Sequence, residues 1–301
     1  MKNLPSLKNL HYLIHLHREQ NFNRAAKACF VSQSTLSTGI QNLEELLGQQ
    51  LIERDNKSFM FTATGEEVVA RAQQVLTDVT DLVDLVQQQG EPMTGEVRLG
   101  CIPTIAPFLL GRLVSQCQQK YPDLNLQIKE DTTEQLLLAL GEGKLDLLIL
   151  ALPVETHGFH TKKVGIDPFK MIVHKQYAEG LKEPVDYRSL PENSIFLLQQ
   201  EHCITGHAIS ACKLQDNRKV HPFSATSLHT LVQMVNCKLG ATFLPQMAID
   251  SGILQGTELE ALNPPGETPY RDIGIVWRQT SSRLQTFIGI GQEVEALLEI
   301  R

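Results

Sequence analysis

The sequence predicts an α/β protein with a small, all-helical head that ends in a short hairpin, a long linking helix, and a body of two α/β subdomains. Three observations carry this expectation. Helical apolar stripes fill the first 62 residues, an apolar repeat with alternating steps of four and three runs from Val68 to Val86, and strands alternate with helices from Gly95 onward. At 301 residues the chain has room for two or three domains.

In the head, Leu7, Leu10, Leu13, Ile14 and Leu16 form the stripe of a first helix. Asn21 or Asn23 can cap a second helix that runs through Ala25, Ala26 and Cys29, and Phe30-Val31 interrupts the pattern. Ser32 can cap a third helix from Gln33 to about Leu47, with Gly48 where a terminating glycine belongs. Two short helices joined in this way form a helix-turn-helix. At about 100° per residue, Leu36, Ile40, Leu43 and Leu47 of the third helix fall within about 60° of one another. The opposite face carries Ser34, Thr38, Gln41 and Glu45, with Gln33 and Ser37 at its edge. Such a face serves either as a plain solvated surface or as a set of donors and acceptors for base edges and phosphates. Leu51 to Thr62 reads as a hairpin wing turning at Asp55-Asn56-Lys57, with Arg54 and Lys57 placed for phosphates.

A long helix from about Thr64 to Gln89 comes next. Val68, Ala72, Val75, Val79, Leu82 and Val86 form a coiled-coil seam, and Val69, Leu76 and Val83 widen it. So wide a stripe needs a surface to pack on, which predicts pairing with a second chain. Gln87 to Pro92 reads as a hinge. In the body, Val97–Ile102, Leu124–Lys129 and Leu145–Leu152 read as strands, separated by helices at Ala106–Tyr121 and Glu134–Gly141. This order implies a parallel sheet with crossover helices. A second block carries strands near Met171–His174, Ser194–Leu198, Val220–Ala225 and Ala241–Leu244. A strand at Asp272–Arg278 and a helix at Leu284–Ile300 return to the first block.

Composition excludes several classes. Apolar residues make up 42% and charged residues 20%, enough apolar material for real cores and too much for a disordered chain. The longest apolar run, Leu145–Val154, contains Asp146 and is about half the ~20 residues a membrane span needs. The N-terminus lacks the apolar segment of a secretion signal, and no two of the six cysteines form a CxxC pair, so a cytoplasmic protein with reduced thiols is expected. The net charge of −7 argues against a non-specific nucleic-acid coat. It divides into +2 over residues 1–62 and −9 over the rest, the asymmetry of a DNA-reading head on an acidic body.

Catalytic signatures are missing. There is no GxSxG, HExxH, P-loop or strand-borne GxGxxG, so no enzyme is expected. The ten histidines show no metal-ligand spacing, and His157 and His160 lack a cysteine or acidic partner; no metal and no cofactor are expected. Cys29, Cys101, Cys117 and Cys237 sit among apolar neighbours and read as core. The segment Gln199 to Lys213 differs, because it places Cys203 and Cys212 nine residues apart with His202 and His207 beside them. These are either two ordinary free thiols or a pair that can bridge. A bridge needs Cα atoms within about 7 Å. Nine helical residues rise about 13 Å, so bridging a helical segment would unwind it.

The head residues Phe22, Ala25-Ala26, Val31-Ser32-Gln33, Leu36-Ser37, Ile40, Leu43-Glu44, Leu47-Gly48, Leu51 to Arg54 and Thr62 to Gly65 stand in the order and spacing of the LysR-type transcriptional regulators, which the chain resembles over nearly its whole length. Ile102-Pro103-Thr104, Gly143 to Asp146, His202-Cys203 with Cys212, and Ala225 to Leu228 resemble the hydrogen-peroxide-sensing branch of that family. The resemblance implies a winged helix-turn-helix at 1–62, a dimerisation helix and hinge at 63–92, and a regulatory domain at 93–301. That domain would hold two subdomains of periplasmic-binding-protein type, 93–167 with 268–301, and 168–267. It implies an activator of oxidative-stress genes that binds promoter DNA as a homodimer or homotetramer and engages RNA polymerase, with no membrane partner. Cys203 would be the peroxide-reactive thiolate, passing through a sulfenic acid, and Cys212 its resolving partner. His202, Thr104 and Thr133 would line the peroxide pocket, and Gln33, Ser34, Thr35, Ser37, Thr38 and Arg54 would contact DNA. Three positions depart from the pattern: Ser34 replaces a common proline, Gln41-Asn42 replace basic residues, and Thr205-Gly206 replace an Arg-Asp pair. Two other readings fit the same scaffold: a regulator switched by a small metabolite between the subdomains, and a thiol peroxidase or solute-binding protein.

Overall fold

The structure, a computed structural model, describes residues 4–54, 59–87, 91–156, 158–179, 190–199, 217–263 and 268–299. It forms two units, Met1–Gln89 and Gly90–Arg301.

The first unit opens with α1 (Leu7–Glu19), α2 (Phe22–Ala28) and α3 (Gln33–Leu47). Each helix starts on a side-chain cap. Ser6 Oγ accepts from Asn9 N at 3.2 Å, Asn21 Oδ1 from Arg24 N at 3.0 Å, and Ser32 Oγ from Thr35 N at 3.1 Å. Each such cap contributes about 1 kcal/mol. Asn21 is the cap of α2, and Gly48 ends α3 in the left-handed conformation. Leu10, Leu13, Leu16, Ala25, Ala26, Leu36, Ile40 and Leu43 pack into one core. Leu47 departs from the expected stripe and is 40% exposed; Leu51 and Ile52 enter the core after the chain turns at Gly48.

The wing consists of β1 (Ile52–Arg54) and β2 (Phe59–Phe61), antiparallel, with Arg54 opposite Phe59. Its expected turn at Asp55-Asn56-Lys57 lies outside the described residues. Glu44 Oε1 accepts from both Leu51 N (2.8 Å) and Ile52 N (3.0 Å), which ties the wing to α3. The long helix α4 (Ala63–Gln87) starts beneath the same segment. A Cβ on Gly65 would stand 2.1 Å from the Leu51 carbonyl oxygen, so only glycine lets these backbones meet. Val68, Val69 and Ala72 pack on the head core, while Val75, Leu82, Val83 and Val86 stay exposed.

The second unit is built on β3 (Gly95–Cys101), α5 (Ala106–Lys120), β4 (Leu124–Glu130), α6 (Thr133–Gly141) and β5 (Leu147–Leu152). The chain continues through β6 (Phe159–His174), α7 (Lys175–Ala178), β7 (Ile195–Leu198), β8 (Val220–Ala225), α8 (Leu228–Asn236), β9 (Ala241–Pro245), α9 (Gln246–Asp250), β10 (Leu259–Leu262), β11 (Tyr270–Arg278) and α10 (Leu284–Glu299). The strand order is β4-β3-β5-β11-β6-β9-β7-β8, with β10 also on β6. The β3–β4 and β3–β5 pairs are parallel as expected, but β11 runs antiparallel to both β5 and β6, so the sheet is mixed. The reason is topological: β6 carries the chain from the first half of the body to the second, and β11 brings it back alongside. The N-terminal part of β6 pairs with β11 through Pro168. Its C-terminal part pairs with β9 from Phe169 and with β10 from Met171. At 16 residues, β6 is far longer than the strand expected near Met171–His174. Cys101 and Cys117 are buried as expected, Cys29 is half-buried, and Cys237, at the end of α8, is exposed instead of packed. Among the described residues, no helix is long and apolar enough to cross a membrane.

Candidate functional site

The helix-turn-helix presents Gln33, Ser34, Thr35 and Thr38 to solvent from the first turns of α3, with Ser37 half-buried beside them. Ser32 Oγ is hydrogen-bonded to Ser34 Oγ (2.9 Å) and to Thr35 Oγ1 (2.7 Å), so the N-terminal hydroxyls form one linked set. Arg54 reaches back from the wing. Its Nη1 donates to Ser37 Oγ at 3.1 Å, and its guanidinium lies 5.2 Å from the centre of the Phe22 ring. These contacts hold a cation beside the exposed hydroxyls, next to backbone N–H groups that the first turn of a helix leaves for an anion. The six residues expected to contact DNA therefore share one polar surface.

In the second unit a charged pair lies at the place where β6 passes from β11 to β9. Asp167 and Arg271 are register partners on β6 and β11, and both side chains are fully buried. Arg271 Nε and Nη2 donate to Asp167 Oδ2 at 3.1 and 3.0 Å. Arg271 Nη1 donates to Thr104 Oγ1 and Nη2 to the Thr104 carbonyl, both at 2.9 Å. Asp167 Oδ1 accepts from Met247 N in α9 at 3.0 Å. One guanidinium thus joins the loop after β3 to the start of α9. Thr104 is 2% exposed, and because its oxygen accepts from Arg271, its hydroxyl proton is left to donate elsewhere.

Thr133 opens α6, and its Oγ1 is buried without a hydrogen-bond partner among the described residues, Thr104 included. His202, Cys203 and Cys212 lie outside the described residues. The segment that carries them leaves β7, where Gln199 N donates to the Ala225 carbonyl of neighbouring β8 at 2.9 Å. It returns at Asn217, just before β8. Burial first, and then the field of Glu130, raises the Cys101 thiol pKa, and burial lifts that of Cys117 to about 11; both thiols stay protonated and poorly nucleophilic.

Other quoted motifs turn out to be framework. Asp146 accepts from Arg98 N, Nε and Nη2 at 2.9, 3.0 and 2.6 Å, joining β3 to the start of β5. Ser227 caps α8 by accepting from Thr230 N. Sequence reasoning passed over Asp167 and Arg271. The available signal was a charge at the head of the apolar strand Ile273–Trp277, since a buried charge of this kind needs an opposite partner. It also passed over a cluster in the head. His11 and His15 share one face of α1, and Cys29 ends α2 beside them.

The head and the body each match a known family. Residues 7–66 match the model described as "Bacterial regulatory helix-turn-helix protein, lysR family", and residues 90–295 match "LysR substrate binding domain". The chain belongs to the LysR family of transcriptional regulators, whose helix-turn-helix binds DNA. Within that family it is similar to the HTH-type transcriptional regulator EstR of Acinetobacter baylyi, at 36% identity over 99% of this chain and all of the relative. It is also similar to the DNA-binding transcriptional dual regulator OxyR of Escherichia coli K12, at 33% identity over 98% and 96% of the two chains. The reduced regulatory domain of OxyR2 from Vibrio vulnificus is 56% identical, with a TM-score of 0.68, over 70% of this chain and 99% of that one. The chain is thus a LysR-type regulator close to OxyR.

Proposed function

We propose that this regulator senses hydrogen peroxide and controls oxidative-stress genes through a Cys203–Cys212 switch. The observation that carries the reading is the 56% identity of its body to the OxyR2 regulatory domain, together with the His202-Cys203 and Cys212 spacing in its own sequence. The chemistry balances in two steps. The Cys203 thiolate attacks one peroxide oxygen; the O–O bond breaks, Cys203 becomes a sulfenic acid, and hydroxide leaves and takes up a proton. The Cys212 thiolate then attacks that sulfur, the S–O bond breaks, and the oxygen leaves as water while the disulfide forms. In this reading Thr104, Thr133 and His202 line the peroxide pocket. The hydroxyl proton of Thr104, left free by Arg271, is a suitable donor to a peroxide oxygen, and the unpartnered Thr133 Oγ1 is a second polar group for it.

At the promoter, Gln33, Ser34, Thr35, Ser37, Thr38 and Arg54 contact DNA. Residues 1–62 act as the DNA-binding domain, 63–92 as the dimerisation helix and hinge, and 93–301 as the sensor, with subdomains 93–167 plus 268–301 and 168–267. The exposed Val75, Leu82, Val83 and Val86 suit a homodimer seam, two of which build a homotetramer that engages RNA polymerase in the cytoplasm. A second reading, a small metabolite as the switch, is favoured by the match of residues 90–295 to the LysR substrate binding domain.

The test treats reduced protein with near-stoichiometric peroxide and reads the thiols by mass spectrometry. Rapid loss of Cys203 and Cys212 to one bridge, with the other four thiols intact and with promoter output abolished in Cys203→Ser, is the expected result. An unchanged peroxide response in Cys203→Ser would sink the peroxide reading and leave the metabolite.

A further inference from the structure

We propose that His11, His15 and Cys29 form a binding site in the helix-turn-helix head for one transition-metal cation of borderline-to-soft character, with Zn2+ as its representative. The helix α1 places His11 and His15 one turn apart on the same face, and packing of α1 on α2 brings Cys29 to them. One ring nitrogen from each histidine and Cys29 Sγ all lie within 4.8 Å of one another. Cys29 Sγ stands 3.7 Å from His11 Nδ1. With Zn–S about 2.3 Å and Zn–N about 2.0–2.1 Å, the S···N edge of a tetrahedral site is about 3.6 Å, so this pair already has the spacing of two ligands on one ion. The imidazole rings are 4.4 Å apart and inclined by 54°.

A second observation points to a ligand. His15 Nδ1 is buried and has no hydrogen-bond partner among the described residues. Buried polar atoms are nearly always satisfied, and an unpartnered imidazole nitrogen on a residue clustered with a thiol and a second imidazole is one that a cation can satisfy. A simple S–H to Nδ1 hydrogen bond would account for the Cys29–His11 contact but not for His15. The donor set itself selects the metal: one thiolate and two imidazoles suit Zn2+, Co2+ or Cu+, and suit neither Mg2+ nor Ca2+. Exposed His11 gives the ion an entry path. Binding breaks the Cys29 S–H bond, forms a sulfur–metal bond and releases one proton to solvent. Cys29 stands three residues before Ser32, the cap of α3, so the ion would cross-link α1 to the turn that leads into α3.

The experiment titrates Co2+ into full-length, reduced, chelator-stripped protein in a Cys203→Ser/Cys212→Ser background, which removes the other thiol pair. One equivalent should give a tetrahedral visible spectrum with a thiolate-to-cobalt charge-transfer band, displaced by Zn2+. Adding Cys29→Ser should abolish the band. Adding His11→Asn, a change at an exposed side chain, should weaken Co2+ binding by at least about tenfold while circular dichroism confirms a folded head. A background protein with only weak octahedral absorption, a band that survives Cys29→Ser, or unchanged affinity in folded His11→Asn would overturn the proposal.

Discussion

Replacing Asp167 with Asn tests the buried clamp of the body. Both members of the Asp167–Arg271 pair are fully buried. The solvent screening that reduces surface ion pairs to about 0–1 kcal/mol therefore does not operate on them. Asparagine keeps the shape and one acceptor but removes the counter-charge, and Arg271 then stays buried as a cation with only neutral acceptors, chief among them the Thr104 oxygens. Removing one partner of such a pair costs about 3–5 kcal/mol, and Asn, which still accepts hydrogen bonds, should fall near the lower end. Asp167→Ala also strips Met247 N of its acceptor and should cost about 1–3 kcal/mol more. The double variant Asp167→Leu/Arg271→Met removes both charges, and should cost less than the sum of its singles by about 2 kcal/mol or more. Trp277 supplies the assay. It is the chain's one tryptophan, it is buried, and it shares β11 with Arg271, so its emission follows the body during urea unfolding. A loss below about 1 kcal/mol in Asp167→Asn, or additive singles, would refute a charge-paired clamp.

Three further outcomes are expected. Arg54→Ala removes the wing cation that bonds Ser37 and lies on Phe22; DNA affinity by fluorescence anisotropy should fall and its salt slope should drop by about 1, with head stability changed by less than about 1 kcal/mol. Leu82→Glu places a charge on the exposed apolar line of α4, where Leu82 is 61% exposed; sedimentation should show at least about tenfold weaker self-association with the fold intact. Glu293 is opposed by burial, which alone would raise its pKa, yet bonds from Lys120, Gln116 and Tyr121 outweigh it and hold the pKa below the ordinary value. A carboxyl lowered on folding stabilises above its unfolded pKa of about 4.3 and loses that contribution as pH falls through the folded value. Glu293→Gln should therefore flatten the acid limb of body stability, and an unchanged limb in chemical unfolding between pH 3 and 6 would count against the assignment.

The parts legible in the sequence are those set by neighbours along the chain. Caps at Ser32 and Gly48, the stripe Leu36-Ile40-Leu43 and the seam of α4 are local signals, and their elements begin and end close to where those residues stand. Polar Gln33, Ser34 and Thr38 follow from the same periodicity. What stayed hidden depends on pairing at a distance. The N-terminal part of β6, with His160, Thr161, Lys162 and Lys163, lacks the look of a strand, because its regularity comes from β11, more than 100 residues later. Arg271 finds Asp167 by the same route. The approach of Cys29 to His11 requires α2 to lie on α1, which no spacing in the sequence displays. Cys237 differs from the expected core position because its apolar neighbours in sequence are not its neighbours in space: it stands just past the end of α8 and faces solvent.

If Cys203 and Cys212 form the switch proposed above, the position of the clamp makes it the point where that change would be felt across the body. The segment bearing Cys203 and Cys212 leaves β7 and returns to β8. The strand β7 pairs with β9 through Ile195 and Phe196, and β9 runs without interruption into α9. There Met247 N is held by Asp167, whose partner Arg271 holds both acceptors of Thr104 in the other half. Every link is a hydrogen bond or a covalent connection, and packed, bonded cores shift between discrete arrangements more readily than they deform. This contiguity assigns each variant a distinct signature. If the clamp only stabilises, Asp167→Asn lowers the urea midpoint and leaves the rate of Cys203 oxidation alone. If it also orients the Thr104 hydroxyl toward peroxide, the double variant slows oxidation even where its stability is restored, because Thr104 has then lost the donor that fixed its proton.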